Sequence, residues 1–478
     1  MCQQCTRRVF LGSTAAGGLL LASSRLTASG AGAVHTAKPA SKVRICTIFA
    51  GSCGEPGRNW VVTEGEMAAM KARMVEAEKN LGNVEFVIGQ AGNGAEAAAL
   101  LAKAGDDAPA LVINLQIGGL VRTGVATAVL ESRRPMVVFS KPASGHDWMY
   151  PYRWHKEGHR VTLLATSDHS ELERAASLLR VAPLLRRSRV LIMLPMQGTP
   201  ASCSPEKIKE RLGTELVAID QERFNQLLDA VDTQAAEAET ERWLRGAKRV
   251  VEPQREDVLK AAKVSLAMDK LIEEEQAQAL AIGTCMAWLP RGFPCLGFTR
   301  LRDRGIPASC EGDMDSLWTM LMFQYAFGIA GFQGNATFDT SRNALWTAHC
   351  VGPLKMDGPD GPEAPYLLRS HSEIGYGVVP EIQYRVGQEI TRAKFVNLDT
   401  MLVSGGTIME VPELSERACR TQIVTKVPNV DSLVRNWSTG IQGNDMMTLL
   451  HRVVFYGNRT QDLRHLGDLM GFNVVQEG

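Results

Sequence analysis

The feature that most constrains the fold is a regular alternation between short apolar runs and longer amphipathic stretches, beginning at Lys42. Val43 to Ala50 is an apolar run of strand length, and Thr63 to Lys79 follows with helical periodicity. The alternation continues with strand-like runs at 84–88, 110–115, 135–139 and 161–165, and with helix-like stretches at 95–104 and 170–179. Strands separated by helices are typical of βαβ units, so the pattern predicts a mostly parallel sheet.

A second βα segment starts at Arg189 to Pro195, and Glu256 to Leu280 predicts a long amphipathic helix that ends shortly before the strand Ala279 to Ile282. After His349 the character changes, because short strand-like runs rich in Val, Ile and Thr follow one another. This change predicts a separate antiparallel β domain. The expected domains after a leader are 34–185 and 186–345, both α/β, and 346–478, which is β-rich.

The N-terminus has the features of an export signal. Arg7 and Arg8 precede Phe10-Leu11 and a weakly apolar stretch to about Ala22, and the small residues 31–33 offer a cleavage site. Paired arginines before a short apolar segment and an Ala-x-Ala site are typical of a twin-arginine signal peptide. We therefore predict such a signal over residues 1–33 and a periplasmic or secreted mature protein.

Composition argues against two classes of partner. The 52 basic and 52 acidic residues cancel, and no block of like charge is long enough to track phosphates, so nucleic acid is not an expected partner. Beyond the leader no apolar run approaches the ~18 residues that cross a bilayer, so no membrane partner is expected after signal cleavage. The cysteines outside the leader show no paired zinc-like spacing and are predicted to be mostly buried thiols.

A carboxylate at a strand end is the first candidate site residue. The segment Pro307 to Asp313 leads from a strand-like run into Met314 to Phe327, a stretch so apolar that it predicts a buried helix. Glu311 would then point inward, where a carboxylate is costly unless it is paired or bound to metal. Asp313 has two open interpretations, a helix cap or a polar site residue that contacts the substrate.

Further polar groups follow downstream. The segment Asn335 to Asn343 is dense in oxygen donors, and His349 ends an apolar run. His371, in Arg-Ser-His-Ser-Glu, is interpreted either as a substrate contact or as part of a solvated loop. The aromatic run Trp148 to His155 is interpreted as an ordered loop or an oligomer contact, with stacking on a sugar from a neighbouring subunit as the alternative.

Several motifs in the C-terminal half resemble one family. They are Cys-Glu-x-Asp at 310–313 before the buried helix, Asp-Thr-Ser-Arg-Asn at 339–343, His-Cys at 349–350, and Leu-His-Arg-Val-Val-Phe-Tyr-Gly-Asn at 450–458. Together and in this order they resemble the L-fucose isomerase C-terminal-like superfamily, which includes L-arabinose isomerases. The N-terminal part is similar only in its general rhythm.

The resemblance implies two Rossmann-like parallel-sheet domains, a C-terminal antiparallel β-barrel-type domain and a homo-oligomer. It also implies an aldose–ketose isomerase that acts on a small sugar through an ene-diol with Mn²⁺ or another divalent cation. Glu311 matches the first carboxylate ligand and is also the expected base. His451 matches a C-terminal histidine ligand, and His349 matches the second histidine of the arabinose branch.

One position departs from the family pattern. The second carboxylate ligand of the fucose branch falls on Asn335, and an amide oxygen is a neutral, weaker ligand that cannot act as a base. Asp339 and Asp313 are the residues that could compensate, and Asp339 is the second expected catalytic residue. The alternative function is a non-isomerising sugar-binding protein or an altered metal-dependent sugar enzyme on the same scaffold. An exported oxidoreductase is a third class, opposed by the lack of a dinucleotide fingerprint.

Overall fold

The computed structural model describes residues 42–55, 57, 60–142, 144–283, 291–438 and 450–478. These residues belong to one compact unit. The predicted signal peptide at 1–33 lies outside them, so the twin-arginine signal and the exported location remain predictions. Within the described ranges, no helix has both the length and the apolar character that crossing a bilayer requires.

The first part of the chain forms a five-stranded parallel sheet with flanking helices. Its elements are β1 (Val43–Ala50), α1 (Glu64–Leu81), β2 (Val84–Ala91), α2 (Gly94–Ala104), β3 (Ala110–Asn114), α3 (Val125–Glu131), β4 (Met136–Ser140), α4 (Pro151–Lys156), β5 (Val161–Ala165), α5 (Glu171–Leu179) and α6 (Val181–Arg186). The strand order is β2-β1-β3-β4-β5. Helix α1 starts where predicted because Thr63 and Glu66 form a capping box.

A second, four-stranded parallel sheet follows. Its segment contains β6 (Arg189–Met193), α7 (Pro205–Leu212), β7 (Glu215–Ala218), α8 (Gln221–Asp229), α9 (Thr233–Gly246), β8 (Arg249–Val250), α10 (Arg255–Glu275), β9 (Ala279–Ile282), α11 (Cys295–Asp303), β10 (Ala308–Cys310) and α12 (Met314–Phe327). The order β10-β9-β6-β7 places β10 at an edge. The expected pair of parallel-sheet units is confirmed.

The remaining chain forms a closed antiparallel barrel. Its segment contains β11 (Phe332–Asp339), β12 (Ala344–His349), β13 (Tyr366–Arg369), β14 (Val379–Ile382), β15 (Glu389–Val396), β16 (Thr400–Glu410), β17 (Thr421–Lys426), α13 (Val430–Ser438), β18 (His451–Tyr456), α14 (Thr460–Met470) and β19 (Asn473–Gln476). Six strands run β15-β18-β11-β12-β17-β16, and pairing of β15 with β16 closes the ring. The predicted barrel-type domain is confirmed.

The barrel begins earlier than the predicted boundary at residue 345. Strand β11 lies wholly before that boundary, and β12 crosses it, yet both are barrel strands. The expected alternation was hidden because Asn335 to Asp339 is rich in polar residues. Strands β13 and β14 also leave the barrel and form a small sheet with β8 of the second part. The boundary at 185 remains a prediction, since the described residues form one unit.

Helix α12 lies where the parallel sheets and the barrel meet. Eleven of its residues are buried, among them Trp318, Leu321 and Phe323. It packs against β9 and β10 on one side and against β15 and β18 on the other. Phe323 stacks on Phe455 of the barrel, and one continuous hydrophobic cluster runs from the first sheet through α12 to the barrel. The start of α12 is therefore fixed from both sides.

Candidate metal centre

Glu311 lies in a tight turn between β10 and α12. Both Glu311 and Gly312 have left-handed backbone conformations, with φ values of 60° and 63°. A Cβ at Gly312 would come within 2.3 Å of the Pro195 carbonyl oxygen, so only glycine fits there. The Gly312 N–H donates to the carbonyl of Ile282 at the end of β9. A non-glycine residue held at positive φ is strained, and such strain is concentrated at functional sites.

Two barrel histidines face the Glu311 carboxylate. His349 Nε2 lies 3.5 Å from Glu311 Oε1, and His451 Nε2 lies 3.6 Å from Glu311 Oε2. The two imidazole rings are 5.4 Å apart between centroids. His349 is the last residue of β12, and His451 is the first of β18, so two barrel strands bring both rings to the carboxyl end of β10. The structure therefore brings together the three residues that the resemblance implied as ligands.

Asn335 lies beside this group. It is the direct cross-strand partner of His451 in the β11–β18 ladder, so the two side chains are neighbours on one face. Its Oδ1 atom is buried and has no hydrogen-bond partner among the described residues. The position that the resemblance assigned to a ligand is thus adjacent to the site, and it carries an amide.

A buried ion pair between Asp313 and Lys394 contacts His451 at Nδ1, the ring nitrogen that does not face Glu311. Asp313 Oδ2 lies 3.0 Å from His451 Nδ1 and 2.9 Å from Lys394 Nζ, and all three side chains are fully buried. Gln333 Nε2 is also 3.3 Å from His451 Nδ1, but it donates to the Cys310 carbonyl at 3.1 Å. We assign the Nδ1 proton to the Asp313 hydrogen bond, because a carboxylate is the stronger acceptor. His451 Nε2 then carries the lone pair and faces Glu311, as a metal ligand requires.

Asp313 also resolves its two sequence interpretations. Its side chain accepts a hydrogen bond from the Ser316 N–H, so it caps α12, and it also holds His451. No oxygen of Asp313 is directed to a substrate in this arrangement. The predicted substrate contact is therefore corrected: Asp313 is a positioning residue.

Electrostatics favour an ionised Glu311. Burial opposes ionisation, but the hydrogen bond and charge of His349 and the charge of His451 outweigh it and lower the pKa of Glu311 to about 2. For His349, burial lowers the pKa, yet its interaction with Glu311 raises it overall. For His451, burial dominates over the Asp313 interaction, so its pKa is lowered. The ionised Glu311 carboxylate and the His451 imidazole, whose lowered pKa favours the neutral form, are a ready pair of metal ligands.

The cluster could hold a metal ion. Ligand atoms of Cys310, Glu311 and His349 all lie within 4.8 Å of one another. His451 Nε2 and His349 Nδ1 are buried and have no hydrogen-bond partner among the described residues. Buried nitrogen atoms without partners are costly, and an ion would satisfy His451 Nε2 at the position facing Glu311. The residues present therefore fit a divalent cation.

Two predicted residues lie elsewhere. Asp339 ends β11 four residues beyond Asn335, about 13 Å along the strand, and its partly exposed carboxylate accepts a hydrogen bond from the Ser341 hydroxyl at 2.6 Å. The structure does not bring Asp339 to Glu311, because the strand carries it away from the turn. His371 is buried, stacks on Phe293 with ring centroids 5.3 Å apart, and is close enough for Glu311 and His349 to influence its pKa. It is not part of a solvated loop.

Two residues of the site were missed from the sequence. Lys394 lies in the strand-like run at 389–396, and a lysine in so apolar a stretch was the available signal for a buried ion pair. Cys310 was grouped with the buried thiols, and its place beside the predicted ligand Glu311 was the signal.

Comparison with models of known protein families finds no match to this chain, and no curated protein sequence matches it. The geometry of the cluster therefore carries the functional argument.

Proposed function

We propose that this protein is a metal-dependent sugar enzyme that interconverts an aldose and a ketose. One observation carries the proposal: a single carboxylate, Glu311, lies within 3.6 Å of two buried imidazole nitrogens from different barrel strands. This arrangement lies at the carboxyl end of a parallel strand, where α/β proteins collect their ligands and catalytic groups.

The chain supplies the groups that such a reaction needs. A divalent cation, Mn²⁺ being the ion that the family resemblance implies, would supply positive charge to polarise a carbonyl and its neighbouring hydroxyl. Glu311 stays ionised throughout the neutral range, so it is available as a ligand and as the acceptor of a proton from the carbon beside the carbonyl. Asp313 and Lys394 hold His451 in one tautomer and orientation.

The stacked rings of His371 and Phe293 support a sugar as the substrate. Their planes differ by 12°, and both side chains are buried. Glu311 and His349 are close enough to influence the pKa of His371. Aromatic faces pack against the apolar C–H face of a sugar ring, while His371 retains nitrogen atoms for a hydroxyl. We assign His371 to substrate binding on this basis.

A second candidate function has a specific observation in its favour. Asn335 stands next to His451 without a charge, and neither Asp313 nor Asp339 places a replacement carboxylate at the site. With only Glu311 as a base, the scaffold is also suited to metal-dependent sugar binding without isomerisation, or to a different reaction on a sugar.

The test combines metal content with turnover. We expect the purified mature protein to bind a divalent cation and to form ketose from at least one aldose of a panel. Glu311→Gln should lose both, because the amide neither neutralises the cation nor accepts a proton. Asp339→Asn is the matched control, since that carboxylate is partly exposed and outside the site.

Each outcome has a distinct meaning. Binding and turnover that both disappear in Glu311→Gln support the isomerase. Metal-dependent sugar binding without ketose formation supports the second candidate. A wild-type protein that binds no divalent cation contradicts both functions.

We also propose a homo-oligomer in which the aromatic loop is a subunit contact. Trp148, Met149 and Tyr152 are 59%, 49% and 46% exposed, which is unusual for large apolar side chains in one short segment. Burial in a second subunit would remove this apolar surface from water. Light scattering of wild type and Trp148→Ser tests the contact, and an unchanged mass for the variant would count against it.

A further inference from the structure

We propose that Cys310 provides a thiolate ligand to the ion held by Glu311, His349 and His451, so that the site selects a thiophilic divalent cation such as Zn²⁺ over Mn²⁺. The inference rests on the metal site of the proposed function and goes further, because it names a fourth ligand and predicts which ions are preferred. Nothing in the family resemblance implies a cysteine ligand.

The two Glu311–histidine distances suit a four-coordinate ion. Zinc is bound at about 2.3 Å by sulfur and about 2.0 Å by nitrogen or oxygen, so neighbouring ligand atoms of a tetrahedral site are roughly 3.3–3.6 Å apart. The two Glu311–histidine distances, 3.5 and 3.6 Å, lie in or at the edge of this range. The Cys310 sulfur lies within 4.8 Å of the Glu311 and His349 ligand atoms, so it belongs to the same cluster of candidate ligand atoms.

An independent observation indicates that a ligand is expected at this point. His451 is fully buried, its Nδ1 is committed to Asp313, and its Nε2 faces Glu311 without a hydrogen-bond partner in the described part of the chain. A neutral imidazole held in this way presents a lone pair towards Glu311, the residue that follows Cys310 in the chain. No residue in the described ranges supplies the polar group that would satisfy it.

Charge also favours a thiolate ligand. Asn335 occupies the place of a carboxylate, so Glu311 alone leaves a divalent cation with one uncompensated positive charge. A thiolate from Cys310 completes neutralisation, giving a set of two imidazoles, one carboxylate and one thiolate. Thiolate and imidazole ligands suit Zn²⁺, whereas Mn²⁺ prefers carboxylate, carbonyl and water oxygens.

The backbone around Cys310 is suited to holding a charged sulfur in place. The Cys310 N–H donates to Gln333 Oε1 at 3.2 Å, and the same oxygen accepts from the buried Arg302 guanidinium at 3.0 Å. On coordination the S–H bond breaks, the sulfur forms a bond to the cation, and the proton leaves to solvent. No electron is transferred, so no oxidant or reductant is needed.

Cobalt is the probe for this ligand set. Full-length mature protein, freed of metal with a chelator, is titrated with Co²⁺ and followed by absorption spectroscopy. We expect a near-ultraviolet charge-transfer band from the thiolate and the intense visible bands of four-coordinate cobalt. Cys310→Ser should still bind Co²⁺ but lose the charge-transfer band. Cys46→Ser is the matched control, because Cys46 is equally buried but lies in β1 of the first sheet.

Ion competition gives the second readout. We expect wild type to prefer Zn²⁺ to Mn²⁺ in equilibrium dialysis, and we expect Cys310→Ser to reduce that preference by about tenfold or more. X-ray absorption of the zinc-loaded wild type should contain one zinc–sulfur distance of about 2.3 Å. This measurement needs no variant, so a zinc ion without a sulfur neighbour overturns the thiolate ligand even if Cys310→Ser does not fold.

The failure of this inference is distinguishable from the failure of the proposed function. Cobalt binding with no charge-transfer band in wild type, or zinc with no sulfur neighbour, overturns the thiolate ligand and leaves the metal site in place. Absence of binding by Co²⁺, Zn²⁺ and Mn²⁺ overturns both.

Discussion

At the scale of single residues, Asp313 has the largest number of tasks. Its carboxylate caps α12 by accepting a hydrogen bond from the Ser316 N–H. It also accepts a hydrogen bond from the His451 Nδ1–H and forms an ion pair with the Lys394 ammonium. Burial would raise the pKa of this carboxyl, but the Lys394 charge and the His451 hydrogen bond reverse the effect and hold it below its usual value. One ionised carboxylate therefore caps the start of α12, neutralises the buried Lys394 and orients His451, a candidate metal ligand.

We predict that Asp313→Asn weakens both the fold and the metal site. The amide can still cap the helix, but its NH₂ group would face the Lys394 ammonium and the His451 N–H. Removing one partner of a buried ion pair costs about 3–5 kcal/mol, and losing the support of a ligand histidine costs about 10–100-fold in metal affinity. Urea unfolding and equilibrium dialysis measure the two effects, and Asp339→Asn should change neither.

A substitution at Asn335 is predicted to raise metal affinity, whereas Asp313→Asn lowers it. Asn335→Asp adds a charged oxygen next to His451, and we expect it to raise Mn²⁺ affinity by about tenfold or more, since Mn²⁺ prefers carboxylates. The metal-free variant should be less stable than wild type, because the new carboxylate is half-buried near Glu311. Dialysis against Mn²⁺ together with thermal unfolding tests both statements. Unchanged Mn²⁺ affinity would place Asn335 outside the ligand shell.

At the scale of elements, the turn between β10 and α12 decides where Glu311 points. Gly283, after β9, and Gly312 both lie against the Pro195 carbonyl, at positions where a Cβ would come within 2.0 and 2.3 Å of it. The ends of β9 and β10 are thus packed without side chains between them and the segment after β6. This close packing lets Glu311 project towards the barrel.

Gly312→Ala tests that packing. Gly312 and Gly328 have similar positive φ values, 63° and 67°, but a Cβ at Gly328 meets nothing within 4 Å. Gly328→Ala should therefore cost only the conformational penalty, about 1–2 kcal/mol. Gly312→Ala should cost clearly more, because the backbone must also move away from Pro195, and metal affinity should fall as Glu311 moves. Urea unfolding of the two variants isolates the difference, and equal losses would contradict the packing argument.

Elements with a clear period could be predicted from the sequence. β1, β9, β15 and α12 have the expected bounds, because apolar residues are frequent in each of them. β11 was not predicted as a strand, because its second half is rich in polar residues and its side chains there are only partly buried. At the site, Glu311 was a candidate because it lies at a strand end and His349 because it follows an apolar run, whereas His451 came from the family resemblance alone. Lys394 could not be paired with Asp313, because their contact depends on the packing of β15 against α12.

At the scale of the whole molecule, the C-terminal helix α14 joins the barrel to the first sheet. Arg174 of α5 pairs with Asp462 and lies 3.2 Å from His465 Nδ1, and Thr162 of β5 donates to Asp468 at 2.9 Å. His465 is 6% exposed, and burial together with the Arg174 charge lowers its pKa to about 4. The contact between α14 and the first sheet therefore contains a histidine held neutral.

This histidine makes stability depend on pH. The unfolded chain takes up the proton near pH 6.5, whereas the folded chain resists it until about pH 4, so acid favours unfolding across that window. The loss attributable to His465 should begin near pH 6.5 and reach about 3 kcal/mol below pH 4. His465→Gln should unfold with a shallower dependence on pH in this range than wild type, as measured by urea titrations. His159→Gln, outside the contact, should follow the wild-type curve.

The candidate ligands Glu311, His349 and His451 come from separate parts of the architecture. The parallel sheet provides Glu311, and the closed barrel provides His349 and His451. A nascent chain therefore offers only part of the ligand set at any one place, too weakly to retain an ion, until the barrel has docked against β10. The ion that is loaded then depends on which ions are available in the compartment where the chain folds. The ions in the compartment where the protein works matter less. With the predicted twin-arginine leader, which exports folded proteins, the mature protein would carry a cytoplasmic choice of metal into another compartment.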